Sequence, residues 1–167
     1  MAQEEYEDDV LDYELIDTSE EEEDEMPNIM HGLLQLAIIE LLRSRLYQEF
    51  KVIPPTTFQG LTRQFIPDVS VYAVSGIAAF MVLEETAPPP FWAIEVISPG
   101  QTLRDMVKKC QGMIESGVEE CWIVEPANES ITVCTKERRF VRHEGETLTN
   151  RFLREPLRVE DIFRVEL

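Results

Sequence analysis

Apolar positions along the chain change their period repeatedly, and each period predicts an element. Over 28–47, Leu33, Leu34, Ala37, Ile38, Leu41, Leu42 and Leu46 recur at helical spacing, and Asn28 stands where an N-cap belongs. Phe50–Ile53 is a strand-like run closed by Pro54-Pro55. Past Pro67 the pattern alternates. A strand there puts Val69, Val71 and Ala73 on one face and Asp68, Ser70, Tyr72 and Val74 on the other. Residues 75–90 have apolar content but no clear period, and they end in Pro88-Pro89-Pro90. The stretch 91–97 is apolar at nearly every position, as expected of a strand covered on both faces, and Ser98-Pro99-Gly100 ends it. Helical spacing returns with Leu103, Met106, Val107, Cys110, Met113 and Ile114. Thr102, with Asp105 three residues on, marks the start of that helix, and Gly117 marks its end. Glu120–Glu125 is a further strand, Ser130–Thr135 and 138–143 a hairpin, and Val159–Phe163 a helical turn that closes the core. Helix, strands, helix, strands is the order of an α/β (α+β) fold, with a mixed central β-sheet flanked by helices.

Charge divides the 167 residues unevenly. Residues 1–26 hold 14 of the 33 acidic residues and no basic one, so 19 remain against 15 Lys plus Arg, a balance of −4 within a total of −18. The expected organisation is an acidic N-terminal segment over 1–26, partly strand (around Val10 to Ile16) and partly solvated, followed by one folded domain over 27–167. A total of −18 argues against broad non-specific nucleic-acid binding, whereas −4 leaves room for a local basic face. Cys110, Cys121 and Cys134 are odd in number, widely spaced and set in apolar segments. They read as buried thiols in a reducing cytoplasm rather than a zinc site. The acidic N-terminus does not read as a secretory leader. The longest uncharged stretch, residues 69–83, is shorter than the ~20 residues of a spanning helix. A cytoplasmic protein without a membrane segment is expected.

One residue breaks the central apolar run. Glu95 is a carboxylate inside a strand predicted to be covered on both sides, where such a group pairs, holds a metal or takes up a proton. Asp68 opens the preceding strand. If the two strands are neighbours, their carboxylates converge, and hard cations such as Mg²⁺ take oxygen ligands of this kind with water and phosphate. On the following helix, at about 100° per residue, Lys108 points away from the buried stripe while Lys109 lies on its flank. Only Lys109 can reach back toward Glu95. His31 and Glu40 lie on the first helix, where an exposed or capping role is the expectation, with lining a site as the alternative.

Several segments together carry a family resemblance. They are Pro67-Asp68-Val69-Ser70-Val71, Ala93-Ile94-Glu95-Val96-Ile97-Ser98-Pro99, Asp105-x-x-x-Lys109, and the run from Gly117 to Pro126 with Cys121-Trp122-Ile123-Val124 inside. Asp12-Tyr13-Glu14-Leu15-Ile16-Asp17, Met26-Pro27 with His31, and Leu157-x-Val159-Glu160-Asp161-Ile162-Phe163 extend the match over almost the whole chain. The combination resembles a large bacterial family classed as restriction endonucleases, within the PD-(D/E)XK nuclease-like superfamily. That resemblance implies a restriction-endonuclease-like core and a metal-dependent phosphodiesterase site. Asp68 and Glu95 match its metal-binding acids. Lys109 matches a lysine moved to the helix, since the superfamily's usual position is Ile97 here. Met113 and Cys121 replace tyrosines common in the family, and the acidic run replaces a tight glycine turn.

The first expectation is therefore a Mg²⁺- or Mn²⁺-dependent endonuclease acting on nucleic acid, DNA before RNA, with a homodimer left open. Asp68, Glu95 and Lys109 would be catalytic, with Glu14 or Glu40 as an additional acid. Arg138, Arg139 and Arg142, joined by Arg151 and Arg154, would contact phosphates or form a solvated basic face. The alternative is a catalytically silent module on the same fold that uses its acidic end to dock a partner. A hydrolase of small phosphoesters is a third reading.

Overall fold

The computed structural model describes residues 28–83 and 86–164. The expected N-terminal strand, the acidic run and Glu14 lie outside those residues. Helix α1 (Ile29–Arg45) is capped by Asn28, whose side chain accepts from the His31 backbone N–H at 2.8 Å. Next come β1 (Phe50–Ile53), the short hairpin β2 (Phe58–Gln59) and β3 (Gln64–Phe65), β4 (Val69–Ala73) and α2 (Val74–Leu83). Strand β5 (Trp92–Val96), helix α3 (Leu103–Glu115) and strand β6 (Glu120–Glu125) form a strand–helix–strand unit. The chain ends with β7 (Ser130–Thr135), β8 (Arg139–Arg142), β9 (Thr147–Leu148), β10 (Leu157–Arg158) and the one-turn helix α4 (Val159–Phe163).

The central sheet runs β1-β4-β5-β6-β7-β8. Its neighbours are antiparallel except β5 and β6, which pair in parallel and are joined by α3. A parallel pair needs a long crossover, and the helical segment predicted between these strands supplies it. The result is a mixed, mainly antiparallel sheet flanked by helices.

Strand periodicity gives the sheet two cores. Trp92, Ile94, Val96, Trp122 and Val124 join α1, α4 and Phe152 on one face. Ala93, Cys110, Cys121, Ile123 and Cys134 join α3 on the other. All of β5 is buried, as a run apolar at almost every position predicts. Phe58 and Phe65 stack at 5.5 Å and extend the second core. Gly112 permits this: a Cβ there would stand 2.9 Å from Cζ of Phe65.

Two local expectations change. Val74 begins α2 instead of ending a strand, and 75–83 is helical. Apart from Ser75 and Gly76, every residue of α2 is apolar. No polar face therefore marks the helical period in the sequence. No described helix is long and apolar enough to cross a membrane.

Candidate active site

The ladder between β4 and β5 creates the site. It pairs Ser70 with Ala93 and Val69 with Ile94, so the next step along it faces Asp68 with Glu95. Glu95 lies on the α3 side of the sheet, in phase with Ala93, and Asp68 stands opposite it in the bend that enters β4. Asp68 continues the ladder with its side chain: Oδ2 accepts from the Val96 N–H at 2.7 Å. The alternation that put Asp68 on the face opposite Val69 and the burial of Glu95 thus converge on one spot.

Helix α3 brings Lys109 over that spot. Its Nζ donates to Glu95 Oε2 at 3.2 Å and lies 3.1 Å from Oε1. It also donates to the Ile66 carbonyl at 3.4 Å, which ties it to the segment leading into Asp68. Lys108 is exposed, as its place on the helix predicts. The Glu95 side chain is only 4% exposed, and Oε1 has no hydrogen bond among the described residues. Burial pushes Glu95 up to about 7, against the opposing pull of the Lys109 ammonium. Taken from water, this carboxylate is poorly compensated by one lysine, and a further cation beside Oε1 would stabilise its charged form.

His31 belongs to the same cluster, contrary to the exposed or capping role expected of it. It is the His31 backbone N–H that Asn28 caps, and the ring is 9% exposed. Nε2 lies 3.1 Å from Asp68 Oδ1, and Nδ1 lies 2.8 Å from Ser98 Oγ. With Nε2–H donating to the Asp68 carboxylate, Nδ1 accepts from the Ser98 hydroxyl when the ring is neutral. The hydrogen bond to Asp68 raises the imidazole above its ordinary value, although burial lowers it. Gln35, one turn on along α1, donates to the Asp68 carbonyl at 2.8 Å.

Ser98 is held by the turn that follows β5. In Ser98-Pro99-Gly100-Gln101 the Gln101 N–H donates to the Ser98 carbonyl at 3.1 Å, and Gly100 has φ +94°. Proline second and a positive-φ glycine third are what a type II turn requires. Ser98-Pro99-Gly100 read as a turn from the sequence, but the role of Ser98 against a histidine 67 residues away did not.

Other candidates are placed elsewhere. Glu40 is exposed, nine residues along α1 from His31 and so about 13 Å farther along its axis. Arg142 pairs with Glu146 at 3.4 Å, and Arg138 and Arg142 cover the Phe140 ring at 4.9 and 4.7 Å. Arg151 pairs with Glu119 at 2.6 Å and lies over the Phe152 ring at 4.3 Å. Arg154 donates to the Ser44 carbonyl. Along β8 the register decides which face each side chain takes. Arg139 opposes Cys134 and shares its α3-side face; Arg142 opposes Ile131 and faces the other core.

The donor chemistry suits a hard divalent cation. Asp68 and Glu95 offer carboxylate oxygens from adjacent strands, and Glu95 is buried with Lys109 3.1 Å from Oε1. Among the described residues no group of three or more His, Cys, Asp and Glu is arranged to hold a metal ion. Two carboxylates completed by water and substrate phosphate match the habit of Mg²⁺, which keeps much of its water.

No curated protein matches the chain. One solved structure, described as "a putative nuclease" from Anabaena variabilis, has the same fold. It aligns with a TM-score of 0.72 over 83% of this chain and 82% of that one, at 20% identity. The family model described as "Putative restriction endonuclease", Uma2, matches residues 3–161. With a match of that extent over a sheet that sets Asp68 beside Glu95, the chain belongs to the Uma2 family.

Proposed function

We propose that this protein is a divalent-metal-dependent endonuclease that hydrolyses phosphodiester bonds of DNA. The observation that carries the reading is the juxtaposition of Asp68, Glu95 and Lys109 across two strands and a helix, with the Glu95 carboxylate buried against the Lys109 ammonium. Membership of a family named for restriction endonucleases supports it.

Asp68 and Glu95 would hold the cation. A bound Mg²⁺ or Mn²⁺ supplies a water of lowered pKa and offsets charge on the phosphate. The chain's own residues do the rest. Hydrolysis forms a bond from a water oxygen to phosphorus and breaks one P–O ester bond. Lys109 donates to the attacking water or to the phosphate oxygen that gains charge, as a mobile point charge with three N–H donors. Its hydrogen bonds to Glu95 and Ile66 keep the ammonium beside the carboxylates. His31 fixes Asp68 Oδ1 and the Val96 N–H fixes Oδ2, so this carboxylate keeps its orientation before substrate arrives.

The test is cleavage of supercoiled plasmid and of single-stranded DNA with Mg²⁺ and with Mn²⁺. Metal-dependent cleavage that falls at least ~100-fold in both Glu95→Gln and Lys109→Ala, with both variants folded, is the expected result. Full activity in either variant removes that residue from the mechanism. Absence of cleavage and of divalent-metal binding by the wild type overturns the reading and leaves the docking module.

A further inference from the structure

We propose that the groove between α3 and β8 is a second part of the nucleic-acid site. In this reading it holds the sugar–phosphate backbone to one side of the scissile phosphate, through Arg104, Lys108 and Arg139. The proposal rests on the nuclease reading above and names how the substrate is held.

The groove has a volume of about 560 Å³. Arg104 and Lys108 line its helical wall, and Arg139 faces them from β8. No carboxylate lines it, and none of the three cations has an ion-pair partner among the described residues. That sets them apart from Arg45, Arg142, Arg151, Arg158 and Arg164, each neutralised by a carboxylate within 3.5 Å. Gln111 and Thr132 add uncharged hydrogen-bonding side chains. A chain with a net charge of −18 repels a polyanion overall, so binding has to be won at a place where cations stand together.

Geometry selects a polymer as the occupant. Arg104 and Lys108 are one helical turn apart, about 6 Å between Cβ atoms, so positive charge runs along the helix axis. Lys109 and Lys108 lie on different flanks of α3, a helix about 10 Å across with its side chains. Arg139 is on the same face of the sheet as Glu95 but three strands away, about 14 Å. A single phosphate held at Asp68 and Glu95 does not reach this groove; a strand with phosphates on both sides of the cut does. Of the three β8-region arginines, only Arg139 is presented to that path.

The test is fluorescence anisotropy of labelled single-stranded and duplex DNA oligonucleotides, with a chelator present to prevent cleavage, over a salt series. The variants are Arg104→Gln, Lys108→Gln and Arg139→Gln singly and combined, with Lys51→Gln/Lys136→Gln as a control at exposed lysines elsewhere. The expected result is a salt slope that falls by about 0.9 on duplex DNA, or about 0.7 on single strands, for each groove charge removed, and affinity at low salt at least ~10-fold weaker in the triple variant. The control keeps the wild-type slope. Wild-type binding with an unchanged slope in the triple variant overturns the groove and leaves the nuclease reading standing. Full competition by inorganic phosphate assigns the groove to small phosphates and overturns the proposal. No binding of either DNA by the wild type at low salt overturns the groove, while the nuclease reading is decided separately by metal-dependent cleavage.

Discussion

At the scale of residues, the site turns on how Glu95 carries charge in buried surroundings. Glu95 is buried and its folded-state value is about 7, above the ordinary 4.5. Between those values the folded protein binds the proton that the unfolded chain has lost. Stability from Glu95 is therefore complete at low pH and drains away as pH rises from about 4.5 to about 7, by about 3 kcal/mol at most. Glu95→Gln removes that titration. In a chelator, the variant should gain stability over the wild type as pH rises through this window, read by urea melts at its two ends. A difference that does not change with pH would show Glu95 to be normally ionised in the folded chain. His31 supplies a second prediction. Without its imidazole, Asp68 Oδ1 loses its donor, and His31→Ala should weaken Mg²⁺ or Mn²⁺ binding about 10- to 100-fold by calorimetry. His31→Gln, with an amide donor, should recover part of it. Equal affinity in all three proteins would reduce His31 to a packing residue.

At the scale of elements, α1 and α3 deliver the side chains, so their caps and contacts govern the site from a distance. Asn28 caps α1 through the backbone N–H of the same residue whose ring holds Asp68. Asn28→Ala should cost about 1 kcal/mol in urea unfolding and also loosen His31. Wild-type stability in that variant would mean that another group satisfies the helix end. Gly112 governs α3. An alanine Cβ would meet the Phe65 ring at 2.9 Å, and that ring sits in the core beneath the helix. Overpacking of this kind costs ~1–3 kcal/mol, against a gain of up to ~1 kcal/mol in helix propensity. Gly112→Ala should therefore be neutral to destabilising; a clear rise in melting temperature would mean that Phe65 is free to move.

At the scale of the whole molecule, charge sets the terms of association. The run from Glu20 to Glu25 carries six acidic residues in a chain of net charge −18. Replacing them with glutamine brings the total to −12. That should tighten DNA binding at low salt, and the gain should vanish as salt shortens the screening length to a few ångströms. Anisotropy titrations at low and high salt check this. No change at low salt would mean that the run lies too far from the bound strand to matter.

What the sequence by itself determined is local. The amphipathic stripe of α1, the caps at Asn28 and Thr102, the turn at Ser98-Pro99-Gly100 and the buried β5 were all legible, because their causes act within a few residues. A carboxylate inside an apolar strand and a lysine on the flank of the next helix stood out for the same reason, and the structure brings them together with Asp68. Helix α2 stayed hidden because it has almost no polar residues to mark a period. Only the tertiary structure decided what depends on register and on contacts far apart in the chain. His31 meets Asp68 across 37 residues and Ser98 across 67. Arg139, not Arg142, faces the α3 side. In a strand each one-residue step exchanges the faces, so pattern alone ranks these arginines equally until pairing with β7 chooses between them.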